Sequence, residues 1–322
     1  NAYITGFTST VVADPGPTTP PALETPVAGG FEAFMTKIDA AGALAYTTYF
    51  GGILDDEGHS LALTADGSVF VVGYTTSPDF PIVNGFQANR NGIQDAVVVK
   101  LAIGNGEIQF STYLGGVNSD RAFGVAVDAT GNAYVAGGTL GSFPIVNAFQ
   151  PTFGRGLRDG FLTKITPSGT IGFSTFFGGS GDEQIYDVAI DGDGNIIVTG
   201  YTSSQNFPVA NALFRTFQGG TGDVFISKFN SAGSGLIFST YLGGFASDNG
   251  VRLAVDKDNN IYVTGYTLSP NFPIKNAPQP LHAGVYDAFL IKLHPDGQDA
   301  DFSTPIGGED TDGGTSVAVD KD

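Results

Sequence analysis

The sequence predicts an all-β protein built from five copies of one four-stranded unit. Three observations predict it: a phrase that returns at a fixed period, short runs rich in β-branched and aromatic residues between glycine-rich turns, and no helical periodicity over a useful length. The phrase is FSTYLGG from Phe110. It reappears as YTTYFGG from Tyr46, FSTFFGG from Phe173, FSTYLGG from Phe238 and FSTPIGG from Phe302. Its second glycine falls at Gly52, Gly116, Gly179, Gly244 and Gly308, at spacings of 64, 63, 65 and 64.

Three further phrases keep the same period. NAYITGFT (1), SVFVVGYT (68), NAYVAGGT (132), NIIVTGYT (195) and NIYVTGYT (260) form one set. FEAFMTKI (31), QDAVVVKL (94), RDGFLTKI (158), GDVFISKF (222) and YDAFLIKL (286) form the next. SLALTADG (60), GVAVDATG (124), DVAIDGDG (187) and RLAVDKDN (252) form the last, which closes the chain as SVAVDKD. All four are strand-like runs bounded by Gly, Asp and Asn. VAVDATGNAYVAG reads as a hairpin whose Gly131 takes the left-handed conformation. Four strands per repeat of about 64 residues describe a propeller blade, buried on both faces, and VAV, VAI and LAV have lost polar alternation as such burial requires. The strand order in each blade is expected to be VAVD, YVTG, DAF..K and STYLGG, with the first innermost.

These phrases together resemble the bacterial and archaeal SBBP-type β-propeller repeat family, in which an STYLGG strand, a VAVD..GN.YVTG hairpin, an FP loop and a DAF..K strand recur. The resemblance covers essentially the whole chain. It implies a propeller that is secreted or surface-attached, and it implies no settled activity. The family name implies seven blades, and here the sequence departs from it. Residues 1–50 supply three strands and 314–322 a fourth, so the expectation is a five-bladed β-propeller of four-stranded antiparallel blades. One blade is shared between the N- and C-terminal segments, in a single domain over 1–322 with further repeats at 51–114, 115–177, 178–242 and 243–313. A piece of a longer array is the alternative.

Composition limits the partners. The chain has 322 residues, 41% hydrophobic, with 32 acids against 14 bases and a net charge of −18. Such a surface repels nucleic acid and anionic membranes, and no apolar run reaches the ~20 residues that cross a bilayer. The absence of cysteine removes disulfides, thiolate catalysis and Cys-ligated zinc together. The first residues already read as a strand, so no leader is visible. Abundant Gly, Thr, Ser and Asn with few lysines suits an extracellular or cell-surface protein.

Candidate site residues are few. Lys37, Lys100, Lys164, Lys228 and Lys292 hold one position in each repeat and make up five of eight lysines. Asp56, Asp120, Asp182, Asp248 and Asp312 recur after the glycine pair. Each lysine is expected to be tied to an aspartate or to carbonyls, a structural role. DGDGN at 191–195 resembles the start of a calcium loop, which would place a metal on Asp191, Asp193 and Asn195, although Thr202 stands where a bidentate acid belongs. The competing reading is a hairpin turn whose Asp accepts backbone hydrogen bonds. Phe80, Phe143, Phe207 and Phe272 in the FP phrases are expected to pin loops of about 20 residues, and the proline-rich stretch 8–30 is the candidate for a distinctive contact.

His59, His282 and His294 fit no ligand spacing, and no cofactor is expected apart from that calcium. Asp55, Asp56, Glu57, Asp182 and Glu183 are the acid clusters that break repeat symmetry. The expected function is therefore a non-enzymatic secreted or surface module for structure and interaction, or a self-assembling extracellular subunit. Its partners would be itself or other surface proteins and glycans. A lectin-like propeller is the alternative, with a glycan-cleaving enzyme ranked last because it needs two unlike carboxylates.

Overall fold

The computed structural model describes residues 1–9 and 30–320, and there the chain folds as nineteen β-strands in five antiparallel sheets. The first sheet holds β1 (Ala2–Thr8), β2 (Glu32–Ile38) and β3 (Leu44–Phe50). The second holds β4 (Asp56–Leu63), β5 (Ser68–Thr75), β6 (Asp95–Ala102) and β7 (Ile108–Leu114). The third has β8 (Asp120–Val127), β9 (Ala133–Thr139), β10 (Asp159–Ile165) and β11 (Ile171–Phe177). The fourth has β12 (Glu183–Ile190), β13 (Ile196–Thr202), β14 (Asp223–Phe229) and β15 (Leu236–Leu242). The fifth has β16 (Asp248–Val255), β17 (Ile261–Thr267), β18 (Asp287–Leu293) and β19 (Ala300–Ile306). Strand order within each sheet follows the chain, as the four phrases predict.

Two compact units divide the molecule, Asn1–Pro144 with Thr163–Gly172, and Ile145–Leu162 with Phe173–Asp322. Each has its own core. In the first unit Met35, Phe50, Val71, Val97, Val99 and Tyr113 pack together, and in the second Ile226, Phe238, Val263, Phe289 and Ile291 do. β5 is buried at all eight residues, which is why its sequence carries no polar alternation.

The hairpin between the first two strands is capped by an aspartate in the third, fourth and fifth sheets, and Thr64 takes that place in the second. Asp128 Oδ1 accepts the N–H groups of Thr130 and Asn132, and Gly131 takes φ 83°. Burial would raise the Asp128 pKa, but hydrogen bonds from Asn132, Thr130 and Tyr134 outweigh it and hold the pKa at about 2. Each of these hairpins also contains a β-bulge, and the extra residues are His59, Phe123, Tyr186 and Val251.

The repeated phrase is explained by the long loop that folds back over it. Ser111 Oγ donates to Pro81 O, Thr112 Oγ1 accepts Gln87 N–H at 3.0 Å, and Tyr113 OH donates to Ser77 O at 2.9 Å while accepting Phe80 N–H. Ser239, Thr240 and Tyr241 hold the loop carrying Phe207 in the same way. Phe80, Phe143, Phe207 and Phe272 are all buried, so the FP phenylalanines anchor these loops as expected. Most of the proline-rich stretch 8–30 lies outside the described residues.

The first sheet contains three strands, and residues 314–320 carry no strand pairing. Gly314 N–H nevertheless donates to Gly265 O at 2.9 Å. A Cβ on Gly314 would meet Thr264 Oγ1 and Gly265 O, just as one on Gly250 would meet Thr199 Oγ1 and Gly200 O. The chain after β19 thus follows the path of an inner strand at its start.

Candidate functional site

The glycine pair that ends each FSTYLGG phrase lies between two acids. A Cβ on Gly243 would lie 2.6 Å from Asp248 Oδ2 and 3.0 Å from Asp223 Oδ1. Gly115 stands in the same way between Asp95 and Asp120, Gly178 between Asp159 and Glu183, and Gly307 between Asp287 and Asp312. At Gly51 the acids are Glu32 and Asp56. The next glycine N–H caps the second acid: Gly52 to Asp56 at 2.7 Å, Gly116 to Asp120, Gly179 to Glu183, Gly244 to Asp248 and Gly308 to Asp312 at 2.8 Å.

Matching by residue type puts Asp182 in this set, and the structure corrects it. Glu183 takes the buried role, because the longer side chain reaches the glycine N–H from the position that Asp248 occupies in the next repeat. Asp182 precedes β12 and faces a seam instead. The first acid of each pair opens β2 in the first sheet and the third strand in the other four. It recurs as the acid of FEAF, QDAV, RDGF, GDVF and YDAF, a signal present in the sequence but not paired with its partner until folding is known.

Burial decides the chemistry of these pairs. Desolvation, reinforced by the neighbouring acid, pushes Glu32, Asp120, Asp159 and Asp223 up to about 7, and desolvation raises Asp56 to about 6. Asp95, Glu183 and Asp248 are raised for the same first reason. Asp159 Oδ1 and Asp223 Oδ1 are buried without a hydrogen-bond partner, each beside its partner acid. The remaining oxygens are crowded by donors: Glu183 accepts Thr202, Ser204 and Gly179, and Asp248 accepts Thr267, Ser269 and Gly244. A cation requires several free lone pairs, and a donor-lined cradle with one free oxygen fits a shared proton instead.

Each recurring lysine lies beside the strand that precedes its own, β1 in the first sheet and the second strand in the other four. The ammonium of Lys37 sits over Tyr3, that of Lys100 over Phe70, that of Lys164 over Tyr134 and that of Lys292 over Tyr262. Their polar partners are Ile103 O for Lys37, Asp66 at 3.5 Å for Lys100 and Asp301 at 2.8 Å for Lys292. Lys228 pairs with Asp191 at 2.8 Å and donates to Pro295 O, and it is the buried member of the set. Lys37, Lys100, Lys228 and Lys292 thus make the predicted ties to aspartates and carbonyls, whereas the contact of Lys164 is the Tyr134 ring.

The ammonium on Asp191 also answers the calcium expectation. Asp191 Oδ1 accepts Asp193 and Asn195 N–H, its Oδ2 takes Lys228 and Asn195 Nδ2, and Asp193 Oδ2 turns to Asn259. These residues do not fit calcium, because a lysine and amide donors already occupy the carboxylate. Among the described residues no group of three or more His, Cys, Asp or Glu converges as metal ligands.

Asp55 Oδ1 accepts Phe31 N–H and Glu57 lies 3.1 Å from His59 Nε2. His294 lies 2.8 Å from Asp301, and His282 contacts Thr267 O.

A cavity of about 350 Å³ opens in the second unit between the fourth and fifth sheets, lined by Asp182, Tyr186, Tyr201, Asn249 and Tyr266. Tyr201 OH donates to Asp182 Oδ2, and Asn249 Nδ2 donates to Tyr266 OH at 2.9 Å. The rings of Tyr186 and Tyr201 stand 6.1 Å apart. Burial, and then the Asp182 carboxylate, raise the Tyr201 pKa, so its hydroxyl stays a donor.

Five antiparallel sheets with a common strand order match the blades of a β-propeller. The chain carries the SBBP beta-propeller repeat, which matches residues 109–144, 172–208 and 237–273. It is similar, at 26% identity over 318 residues, to the "Regulatory protein FlaEY" of Caulobacter vibrioides. That match covers 91% of this chain and 32% of the relative, so the chain spans about a third of the relative's length. A solved protein from Lactobacillus plantarum is 12% identical, with 97% of this chain and 99% of that one covered at a TM-score of 0.34.

Proposed function

We propose that this chain is a non-enzymatic β-propeller module that works by contact, as an extracellular or cell-surface interaction and self-assembly unit. The observation that carries this reading is a recurrent display of large apolar residues at two loop positions. One position follows the glycine pair, at Ile53, Val117 and Phe245. The other lies near the end of the long loop, at Ile93, Leu157 and Val285. Ile93 is 76% exposed and Leu157 is 68% exposed, and repeated exposure at equivalent places suits an interface better than isolated chance. A relative whose name says regulatory accords with action by contact. The partner assigned here is a second copy of the chain.

Closure belongs to the same reading. Residues 314–320 would add the fourth strand to the first sheet, either of the same chain or of a neighbour, and the seating of Gly314 against Gly265 supports that path. Replacing Ile93, Val117, Leu157 and Phe245 together with serine should abolish self-association in light scattering while leaving the melting temperature near that of the parent. Unchanged association would overturn the reading. Incubation with a polysaccharide panel tests the enzymatic alternative through release of reducing ends. A carbohydrate-binding module is the second reading, which draws on the three tyrosines of the cavity, and a glycan array tests it.

A further inference from the structure

The cavity over Tyr201 is a vacancy in a pattern that the chain fills elsewhere. In the first unit, between the second and third sheets, Gln94 and Arg121 occupy the space over Tyr74. The Arg121 guanidinium lies 4.7 Å from the Tyr74 ring centroid, and its Nε donates to Gln94 Oε1 at 2.5 Å. In the second unit Arg158 and Gln184 form the same pair with the roles exchanged, Nη1 donating to Oε1 at 2.5 Å. Repeat register aligns Gln94, Arg158 and Gly222, each just before the acid that opens a third strand. It likewise aligns Arg121, Gln184 and Asn249, each just after the acid that opens an inner strand. Between the fourth and fifth sheets both fillers are therefore short. A Cβ at Gly222 would come within 3.0 Å of the Tyr201 ring, so the glycine keeps that ring edge open.

We propose that this cavity binds a guanidinium group presented by an arginine side chain of a partner polypeptide. The chain's own Arg121 stacked on Tyr74, the counterpart of Tyr201, is the precedent for the ligand. A planar cation stacks on tyrosine and donates to a carboxylate from one rigid group, a combination that an ammonium does not reproduce. The acceptors of the lining are Asp182, whose buried Oδ1 makes no hydrogen bond and faces Arg158 Nε at 3.7 Å, and Asn249, whose buried Oδ1 has no hydrogen-bond partner. Ser247 and Thr221 line the mouth. The net charge of −18 draws basic segments toward the surface. This inference goes beyond the self-association reading and is tested with small amides, so the two fail independently.

The test is a titration with N-acetyl-arginine amide followed by amide NMR shifts. Saturable shifts are expected at Thr221, Gly222, Ser247 and Asn249. N-acetyl-citrulline amide, the neutral isostere, should bind about tenfold more weakly, the effect of one charge-assisted hydrogen bond. N-acetyl-lysine amide should fall between the two. Asn249→Arg, which rebuilds the filled seam, should abolish binding without lowering the melting temperature, and Asp182→Asn should weaken it about tenfold. The proposal is overturned if arginine and citrulline amides bind equally, if no shifts appear at these residues, if methyl glycosides bind where arginine amide does not, or if Asn249→Arg leaves affinity unchanged. Should Asp182→Asn fail to fold through loss of the Tyr201 contact, the Asn249→Arg result stands alone.

Discussion

The seam over Tyr74 in the first unit and the seam over Tyr201 in the second are built on one plan and finished differently. Both have a glycine between two acids, and both have a tyrosine on the second strand. Over Tyr74 the chain supplies Arg121 and Gln94, and over Tyr201 it supplies Asn249 and Gly222. The shared acids are buried and serve the fold, whereas the parts that differ fill the space over Tyr74 and leave it open over Tyr201. In a repeat protein, a place where the register is kept but the filling is withheld is the place to look for a ligand.

What the seams share sets the largest expected effect. Glu32, Asp56, Asp120, Asp159 and Asp223 all have folded-state pKa values of about 6 to 7, above those of the unfolded chain. Between about pH 4 and 7 the folded state therefore holds more protons, and stability falls as pH rises through that window. Below about pH 4 the opposite group acts: Asp128, Asp66 and Asp256 are held low, and their contribution is lost as pH falls. Stability should peak near pH 4 to 5 and decline by on the order of 5 kcal/mol by pH 8. Denaturant melts at these pH values check it, and a flat profile would contradict shared protons in both units alike.

The next effect separates the units. Lys228→Met leaves Asp191 buried without its cation and should cost about 3 kcal/mol or more, because removing one partner strands a buried charge. Lys100→Met, at the equivalent position in the first unit, loses only an exposed partner, with Asp66 at 64% side-chain exposure, and should cost less than about 1 kcal/mol. Equal losses in urea titrations would erase the distinction. Gly243→Ala forces a Cβ against Asp248 and Asp223 and should cost about 1–3 kcal/mol by crowding, as should Gly115→Ala in the first unit.

Repetition made the fold legible, because every strand, its order and the loop anchors are written several times over. It also placed the lysines at one register position, and the ties of four of the five to Asp66, Asp191, Asp301 and two carbonyls are of the predicted kind. The acid pairs were not legible. Asp223 and Asp248 lie 25 positions apart, and nothing in one dimension says that the glycine between them brings them together. Asp182 was misassigned because matching by residue type overrode register: Glu183 stands four residues after its glycine, as Asp248 does, and carries the longer acid. The cavity was hidden for the opposite reason: Gly222 and Asn249 are unremarkable residues, and only comparison with Gln94 and Arg121 in space makes them informative.

The smallest expected effect bears most directly on the two seams. Arg121→Ala empties the space over Tyr74 and removes one stacked cation and one charge-assisted hydrogen bond to Gln94, so it should cost about 1–2 kcal/mol. The loss is modest because Tyr74 and Gln94 remain packed. The gap it leaves has the shape of the missing side-chain head, so millimolar methylguanidinium should raise the melting temperature of Arg121→Ala by more than it raises that of the parent chain. Methylammonium, which offers charge without a plane to stack, should rescue less. The double variant Arg121→Ala with Tyr74→Leu should lose the rescue while keeping the gap, since stacking on the ring is what selects the planar ion. If methylguanidinium stabilises parent and variant equally, the space over that tyrosine does not recognise a guanidinium. The precedent for the cavity over Tyr201 would then fall with it.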